Sequence, residues 1–338
     1  MEQIDSISIS YPPEFRSFSG ESLCASSETN SVVQKIEGDE LIPRLDFQRL
    51  NSETINLAEA CEGWGLFYLA NHGIPHDILS GVEEHVRSVF SLPFEKKQEL
   101  FTSPMSYFWG TPALTPSGVA LGTRSSYGVN WMEGISLPCA HLSNFTPSDL
   151  LVNQLRILLQ KYETHVSRIA RSVFESMLES IDKDHCKDYS SYLSEATGCL
   201  RVYRYPACGV VEGESWGIEE HTDSSILTIL NQDHVGGLEL FRDGSWYPVR
   251  PLSDTLVVNL GDMAQAISDD KFCSARHRVR NNKSKNRQSI AYFVFPPNDR
   301  LIQTSTYRPF TYVDFQQQVQ RDIKLLGTKV GLDRFRIS

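Results

Sequence analysis

The residues with the clearest chemical potential are Glu219-Glu220-His221-Thr222-Asp223, read together with His277 and with Arg287-Gln288-Ser289 downstream. In an extended strand alternate side chains share a face, so His221 and Asp223 can enter one cavity while Thr222 turns away. His277 completes a set of two histidines and one carboxylate. Such a set covers one face of an octahedral iron(II) ion and leaves three positions open, the coordination that non-haem oxygen chemistry uses. A single His-x-Asp among nine histidines is a weak signal, because a lone imidazole is more often a surface or hydrogen-bonded side chain than a ligand. The joint pattern is stronger. Arg287 and Ser289 again stand two apart, where a guanidinium fork and a hydroxyl can grip a carboxylate, and Tyr205 in Tyr203-Arg204-Tyr205-Pro206-Ala207-Cys208 offers a third donor.

With these motifs in place, the chain resembles the plant-type 2-oxoglutarate- and iron(II)-dependent dioxygenases, the class that includes gibberellin oxidases and flavonoid oxygenases. His221, Asp223 and His277 match the family's iron ligands, Arg287 and Ser289 its Arg-x-Ser clamp for 2-oxoglutarate, and Tyr205 the second tyrosine of Asn-Tyr-Tyr-Pro-x-Cys-Pro. Ile42 to Phe47 and Trp64 to Pro75 are similar to the family's N-terminal region, so the resemblance covers nearly the whole chain. Two positions depart from the pattern: Tyr203 stands in place of the motif's Asn and Gly209 in place of its final Pro, which we read as a change in substrate handling. The resemblance implies iron(II), 2-oxoglutarate and dioxygen as reactants, ascorbate in support, and oxidation, by default hydroxylation, of a small hydrophobic metabolite such as a gibberellin or related diterpenoid acid. A flavonoid or another plant hormone is the alternative substrate. The residues also leave room for a silent ligand-binding barrel and for a zinc hydrolase with the same three ligands. Arg287 and Ser289 count against the latter, because hydrolysis needs no second dicarboxylate.

A chain of 338 residues with 40% hydrophobic content can bury a large core. A net charge of −10 argues against nucleic acid or an anionic membrane surface as the main partner. The run Arg276, Arg278, Arg280, Lys283, Lys285 is the local exception and reads as a solvated hairpin. Seven cysteines, an odd number with no Cys-x-x-Cys pair, suit a reducing compartment. With no basic leader ahead of an apolar stretch and no long apolar run, the expectation is a cytoplasmic enzyme, monomeric, acting on a small molecule.

The elements that must position these residues follow from periodicity. Residues 1–38, rich in Ser and Glu, read as a mobile arm. Residues 39–194 form an N-terminal region: a strand over Leu41 to Phe47, a helix from Asn51 to Trp64 with Ser52 as its cap, a strand to Ala70, a helix from Pro75 through Phe90, and a long amphipathic helix from Asp149 to Ser180. That helix needs a sheet face to cover. Residues 102–147, aromatic and Gly/Pro-rich, read either as a loop lining an apolar pocket, with Trp131 in its wall, or as ordinary packing.

Strand signals crowd residues 195–300: Leu200 to Tyr205, Ile226 to Asn231, Leu238 to Arg242, Trp246 to Arg250, Thr255 to Leu260, His277 to Val279 and Ser289 to Phe295. They predict a mainly β fold with flanking helices, a cupin-like double-stranded β-helix (jelly roll), closed by a C-terminal helix within residues 301–338. By two-residue alternation Arg201 and Tyr203 share the face of Tyr205 and approach the substrate, with Phe293 as a further apolar wall; Arg201 could bind an acidic group there, or lie exposed at a strand end.

Overall fold

Apolar side chains alternate along the central strands in such a way that both faces of one sheet must be covered, and the structure covers them differently. The computed structural model describes residues 9–13, 16, 41–52, 54–110, 112–114, 120–122, 130–181, 190–194, 197–207 and 216–337. Most of the expected N-terminal arm, and Gly209 with it, lies outside the described residues.

In chain order the strands are β1 (Arg44–Asp46), β2 (Leu66–Ala70), β3 (Ser106–Trp109), β4 (Pro112–Leu114), β5 (Ala120–Gly122), β6 (Glu133–Pro138), β7 (Cys199–Tyr205), β8 (Trp216–His221), β9 (Leu227–Gln232), β10 (Leu238–Arg242), β11 (Ser245–Pro248), β12 (Thr255–Leu260), β13 (His277–Arg280), β14 (Arg287–Val294), β15 (Leu301–Ile302) and β16 (Phe310–Thr311). The major sheet has eight strands in the order β1-β2-β12-β9-β14-β7-β6-β3, and a four-stranded sheet, β11-β10-β13-β8, faces it. This is the double-sheet jelly roll that the strand spacing predicts. Strands from both sides of residue 194 share the major sheet, so the N-terminal region and the barrel are one hydrogen-bonded body.

The alternation decides what each face touches. Val202, Ile229, Val258 and Ile290 point outward and join the buried cluster of the helix Leu150–Ile181, through Leu155, Leu159, Tyr162 and Val166. Tyr203, Tyr205, Val257, Ala291 and Phe293, one residue out of step, point inward and meet Leu238, Leu240 and Val279 of the small sheet. The long helix therefore covers one outer face, as its apolar stripe demands, and the opposite face is left to line a cavity.

Three local expectations need correction. Residues 106–109 and 133–138, expected within a loop, are strands β3 and β6 at the edge of the major sheet. They were hidden because Gly134 interrupts the pattern; a Cβ there would stand 2.4 Å from the Phe108 ring and 2.9 Å from the Val202 carbonyl, so the close approach of three strands requires glycine. Ser52 lies in a 3-10 turn (Phe47–Ser52) and donates to the Arg49 carbonyl rather than capping the helix Thr54–Gly63. Finally, the basic run is only partly solvated: Arg278 is buried, paired with Glu239 at 2.6 Å and held between the rings of Trp216 and Trp246 at 4.2 and 3.8 Å. Outward alternation from His277 put Arg278 on the far side of the small sheet, where two tryptophans cover it.

Candidate metal centre and dicarboxylate pocket

Strand β8 ends at His221, and β13 begins at His277 directly opposite it in the antiparallel ladder. The two rings lie 4.2 Å apart, centroid to centroid. Asp223 is not on the strand, as simple alternation had it, but in the bend that follows. There its Oδ1 comes 3.8 Å from His221 Nε2, and one ligand atom from each of the three residues lies within 4.8 Å of the others. The bend is possible because Gly261 has no side chain: a Cβ would stand 2.2 Å from the Ser225 carbonyl and 2.9 Å from that of Asp223.

Each donor is oriented by a neighbour. His221 Nδ1 is 2.7 Å from the Glu219 carbonyl and His277 Nδ1 is 2.9 Å from the Ala275 carbonyl. A carbonyl only accepts, so both Nδ1 atoms carry the proton and both Nε2 lone pairs are free for a metal. Asp223 Oδ2 accepts from Thr228 Oγ1 at 2.7 Å and Asn259 Nδ2 at 2.8 Å, which leaves Oδ1 toward the imidazoles.

The electrostatics favour the metal-binding protonation states. Burial, with His277 beside it, pushes the His221 imidazole down to about 4 against the pull of Asp223. Burial opposes ionisation of Asp223, but the two imidazoles and the hydrogen bonds from Thr228 and Asn259 outweigh it and hold the carboxyl at about 2. At neutral pH His221 is a neutral imidazole and Asp223 a carboxylate, and with His277 they make a borderline nitrogen and oxygen donor set suited to iron(II).

On β14, Arg287 is almost completely buried and donates from Nη1 to Ser289 Oγ at 3.3 Å and from Nη2 to Gln232 Oε1 at 3.1 Å. Its guanidinium lies 4.8 Å from the Tyr205 ring centroid, on the strand paired with β14. Nε has no hydrogen-bond partner, and among the described residues no carboxylate pairs with Arg287. A buried cation without a counter-ion is costly, and a dicarboxylate entering the cavity would relieve it. The metal cluster and this clamp face the same interior, since His277 pairs across the ladder with Leu240, which joins Tyr203 and Tyr205 in the inner cluster.

Two models of known families match this sequence: the 2OG-Fe(II) oxygenase superfamily over residues 196–296, and the non-haem dioxygenase in morphine synthesis N-terminal over residues 42–139. Gibberellin 2-beta-dioxygenase 6 of Oryza sativa subsp. japonica is 34% identical over 312 residues, covering 87% of this chain and 84% of that protein. The chain belongs to the 2OG-Fe(II) oxygenase superfamily. Gibberellin 2-beta-dioxygenase 8 of Arabidopsis thaliana is also 34% identical, over 326 residues that cover 92% of this chain and 90% of that one. Among solved structures, the rice dioxygenase for auxin oxidation (DAO) superposes with a TM-score of 0.69 at 25% identity, covering 88% of this chain and all of that one. This member of the superfamily is thus an iron(II)- and 2-oxoglutarate-dependent dioxygenase with dioxygen as co-substrate, and the donor set and an Arg287 with no carboxylate partner among the described residues fit that chemistry.

The remaining expected residues divide. Arg201, Tyr203 and Tyr205 occupy one face of β7 opposite Ala291, Ser289 and Arg287 of β14, as alternation predicts. Arg201 is half-buried, with its guanidinium 4.8 Å from the Phe293 ring centroid and Nη1 3.5 Å from the Tyr203 hydroxyl. Trp131 does not join them. It packs edge-on against Trp109 and Tyr11, at 5.3 and 5.8 Å, while its neighbour Met132 enters the inner cluster. Phe108, one of the aromatics of residues 102–147, joins the inner cluster and meets Tyr203 edge-on at 6.0 Å across Gly134, while Tyr312, at the start of the helix Tyr312–Leu326, stacks on Phe295 at 5.1 Å. Aromatic enrichment marked Phe108; nothing local marked Tyr312, which reaches Phe295 only because the C-terminal helix folds back.

Proposed function

We propose that His221, Asp223 and His277 hold iron(II), that Arg287, Ser289 and Tyr205 hold 2-oxoglutarate, and that the enzyme oxidises a small hydrophobic acid, a gibberellin or related diterpenoid acid, by hydroxylation. The names of the two gibberellin 2-beta-dioxygenases support the substrate class. The observation that carries it is Arg201: a guanidinium on the same strand face as the dicarboxylate clamp, flanked by Phe293 and Tyr203, with no carboxylate partner among the described residues. Such a wall offers one cation in an apolar surface, the complement of a carboxylated hydrocarbon.

Bound iron(II) and 2-oxoglutarate supply the oxidising power from dioxygen, with release of succinate and carbon dioxide. The chain's residues do the placing. Arg287 neutralises the distal carboxylate while Ser289 and Tyr205 fix its direction, and Arg201 aligns the substrate acid so that one carbon faces the metal. Tyr203, Phe108 and Phe293 exclude water from the space between. We place this enzyme in the cytosol as a monomer. The four described cysteines are free thiols, which suits a reducing compartment, and among the described residues no helix is long and apolar enough to cross a membrane.

Incubation of purified protein with iron(II), 2-oxoglutarate and ascorbate against a panel of gibberellins, auxin and flavonoids, with products read by mass, tests the reading. A product 16 Da heavier from a gibberellin acid, with stoichiometric succinate, is the expected result, 16 Da being about the mass of one added oxygen atom. Turnover of neutral flavonoids alone would move the substrate assignment to that class, and absence of succinate under all conditions would leave a silent ligand-binding barrel.

A further inference from the structure

The C-terminal segment carries a lysine whose contacts converge on the metal bend. Lys329 Nζ donates to the Thr222 carbonyl at 2.9 Å, to Thr222 Oγ1 at 3.2 Å and to Ser224 Oγ at 3.1 Å, and pairs with Asp262 Oδ2 at 2.7 Å. Thr222 and Ser224 are the residues on either side of Asp223. Asp262 reaches the same bend by its backbone, donating its N–H to the Asp223 carbonyl at 2.8 Å, while its Oδ1 accepts from Ser274 Oγ at 2.7 Å. The lysine side chain is 17% exposed, so these contacts form largely out of water.

Lys329 is itself anchored. Phe315 of the helix Tyr312–Leu326 lies beneath its ammonium at 5.6 Å, and beyond it Arg334 pairs with Asp322 of that helix at 2.9 Å and Arg336 with Asp270 at 2.6 Å, fixing the segment that follows Lys329 to the helix and to the loop after Ile267. The 222–224 bend, which follows the end of a strand, has no ladder of its own to hold it. A tether of several hydrogen bonds from a distant part of the chain supplies what the ladder does not.

From this geometry we infer that Lys329 is a positioning residue for the Asp223 carboxylate, so that the C-terminal segment sets the affinity of the metal centre. The inference rests on the ligand assignment above. Two physical effects of Lys329 have opposite signs. As a positive charge near the site it disfavours a divalent cation, so removing it without any change in the bend would leave metal affinity unchanged or raise it. As a tether it holds Asp223 Oδ1 on the two imidazoles, so removing it lowers affinity. Loss of a neighbour that orients a ligand characteristically weakens metal binding by about 10–100-fold.

The test is Mn(II) titration of metal-free full-length protein, followed by electron paramagnetic resonance without 2-oxoglutarate. Because Lys329→Met leaves Asp262 unpaired, the double variant Lys329→Met/Asp262→Asn is measured beside it; the amide keeps the acceptor for Ser274 and removes the orphan charge. The expected result is a Kd raised about 10–100-fold in both variants, with the double variant melting close to the unsubstituted protein. A Kd equal to or below that of the unsubstituted protein in either folded variant overturns the inference. His221→Ala is the control: it abolishes binding if the ligand assignment holds. Failure of the unsubstituted protein to bind Mn(II) overturns that assignment and this inference with it.

Discussion

His221 and His277 stand directly opposite each other across the β8–β13 ladder, 4.2 Å between ring centroids, although 55 residues of chain separate them. Each ring is locked by its Nδ1 proton to the carbonyl two residues before it. Replacing His277 by Ala removes one of three donors without disturbing the ladder. The expected outcome is loss of 2-oxoglutarate-dependent succinate formation, measured by coupled assay, in a protein whose melting temperature as metal-free protein is nearly unchanged.

Arg287 is buried and shaped to give two parallel hydrogen bonds, which a lysine cannot supply. Arg287→Lys keeps the charge and loses the fork. A loss of about 1.5–3 kcal/mol, one charged hydrogen bond, corresponds to a KM for 2-oxoglutarate raised on the order of 10–100-fold. Steady-state kinetics with 2-oxoglutarate varied gives the number.

Arg201 lies on the opposite side of Tyr203 from the clamp. Arg201→Ala raises the KM of a carboxylated substrate and leaves that of 2-oxoglutarate close to its original value. An unchanged KM for the acid shows that Arg201 does not bind it.

Glu133 is the centre of a buried network on the other face of the sheet, where it pairs with Lys97 and Arg204 and accepts from the Tyr107 hydroxyl at 2.6 Å. Burial, ahead of all other influences, brings the Lys97 ammonium down to about 8 even with Glu133 beside it. Glu133→Ala leaves two buried cations facing each other, and a cost of about 3–5 kcal/mol is expected. Urea unfolding followed by circular dichroism measures it, and methionine in place of Lys97 in the same background restores part of the loss.

Asp269 ties the loop after Ile267 to Ser305 Oγ and to the Thr306 N–H. Burial works against its charge, but these hydrogen bonds outweigh it and hold the carboxyl at about 2, below the ordinary 3.8. A carboxyl depressed in the folded state stabilises above its unfolded value and loses that contribution as pH falls from 3.8 toward 2. Asp269→Asn is therefore expected to flatten the acid limb of a melting-temperature profile over that window; an identical limb shows that the loop contributes nothing there.

The sequence by itself determined the chemistry and most of the elements. Two-residue alternation placed Arg201, Tyr203 and Tyr205 on one face, three- and four-residue spacing drew the long helix and gave it a sheet to cover, and the joint occurrence of His221, Asp223, His277, Arg287 and Ser289 pointed to a metal site beside a carboxylate grip and carried the family resemblance that implied the reactants. These are properties of side-chain type and local period, which a strand or helix expresses wherever it sits. The tertiary structure alone decided register and closure. It set His277 against His221, bent Asp223 off the strand through the space left by Gly261, packed Trp131 on Trp109 while admitting Phe108 to the inner cluster across Gly134, and brought Lys329 from the end of the chain to the metal bend. Each of these depends on contacts between residues far apart in sequence, where no local period carries the information and only the packing of two sheets and a returning helix fixes which atoms meet.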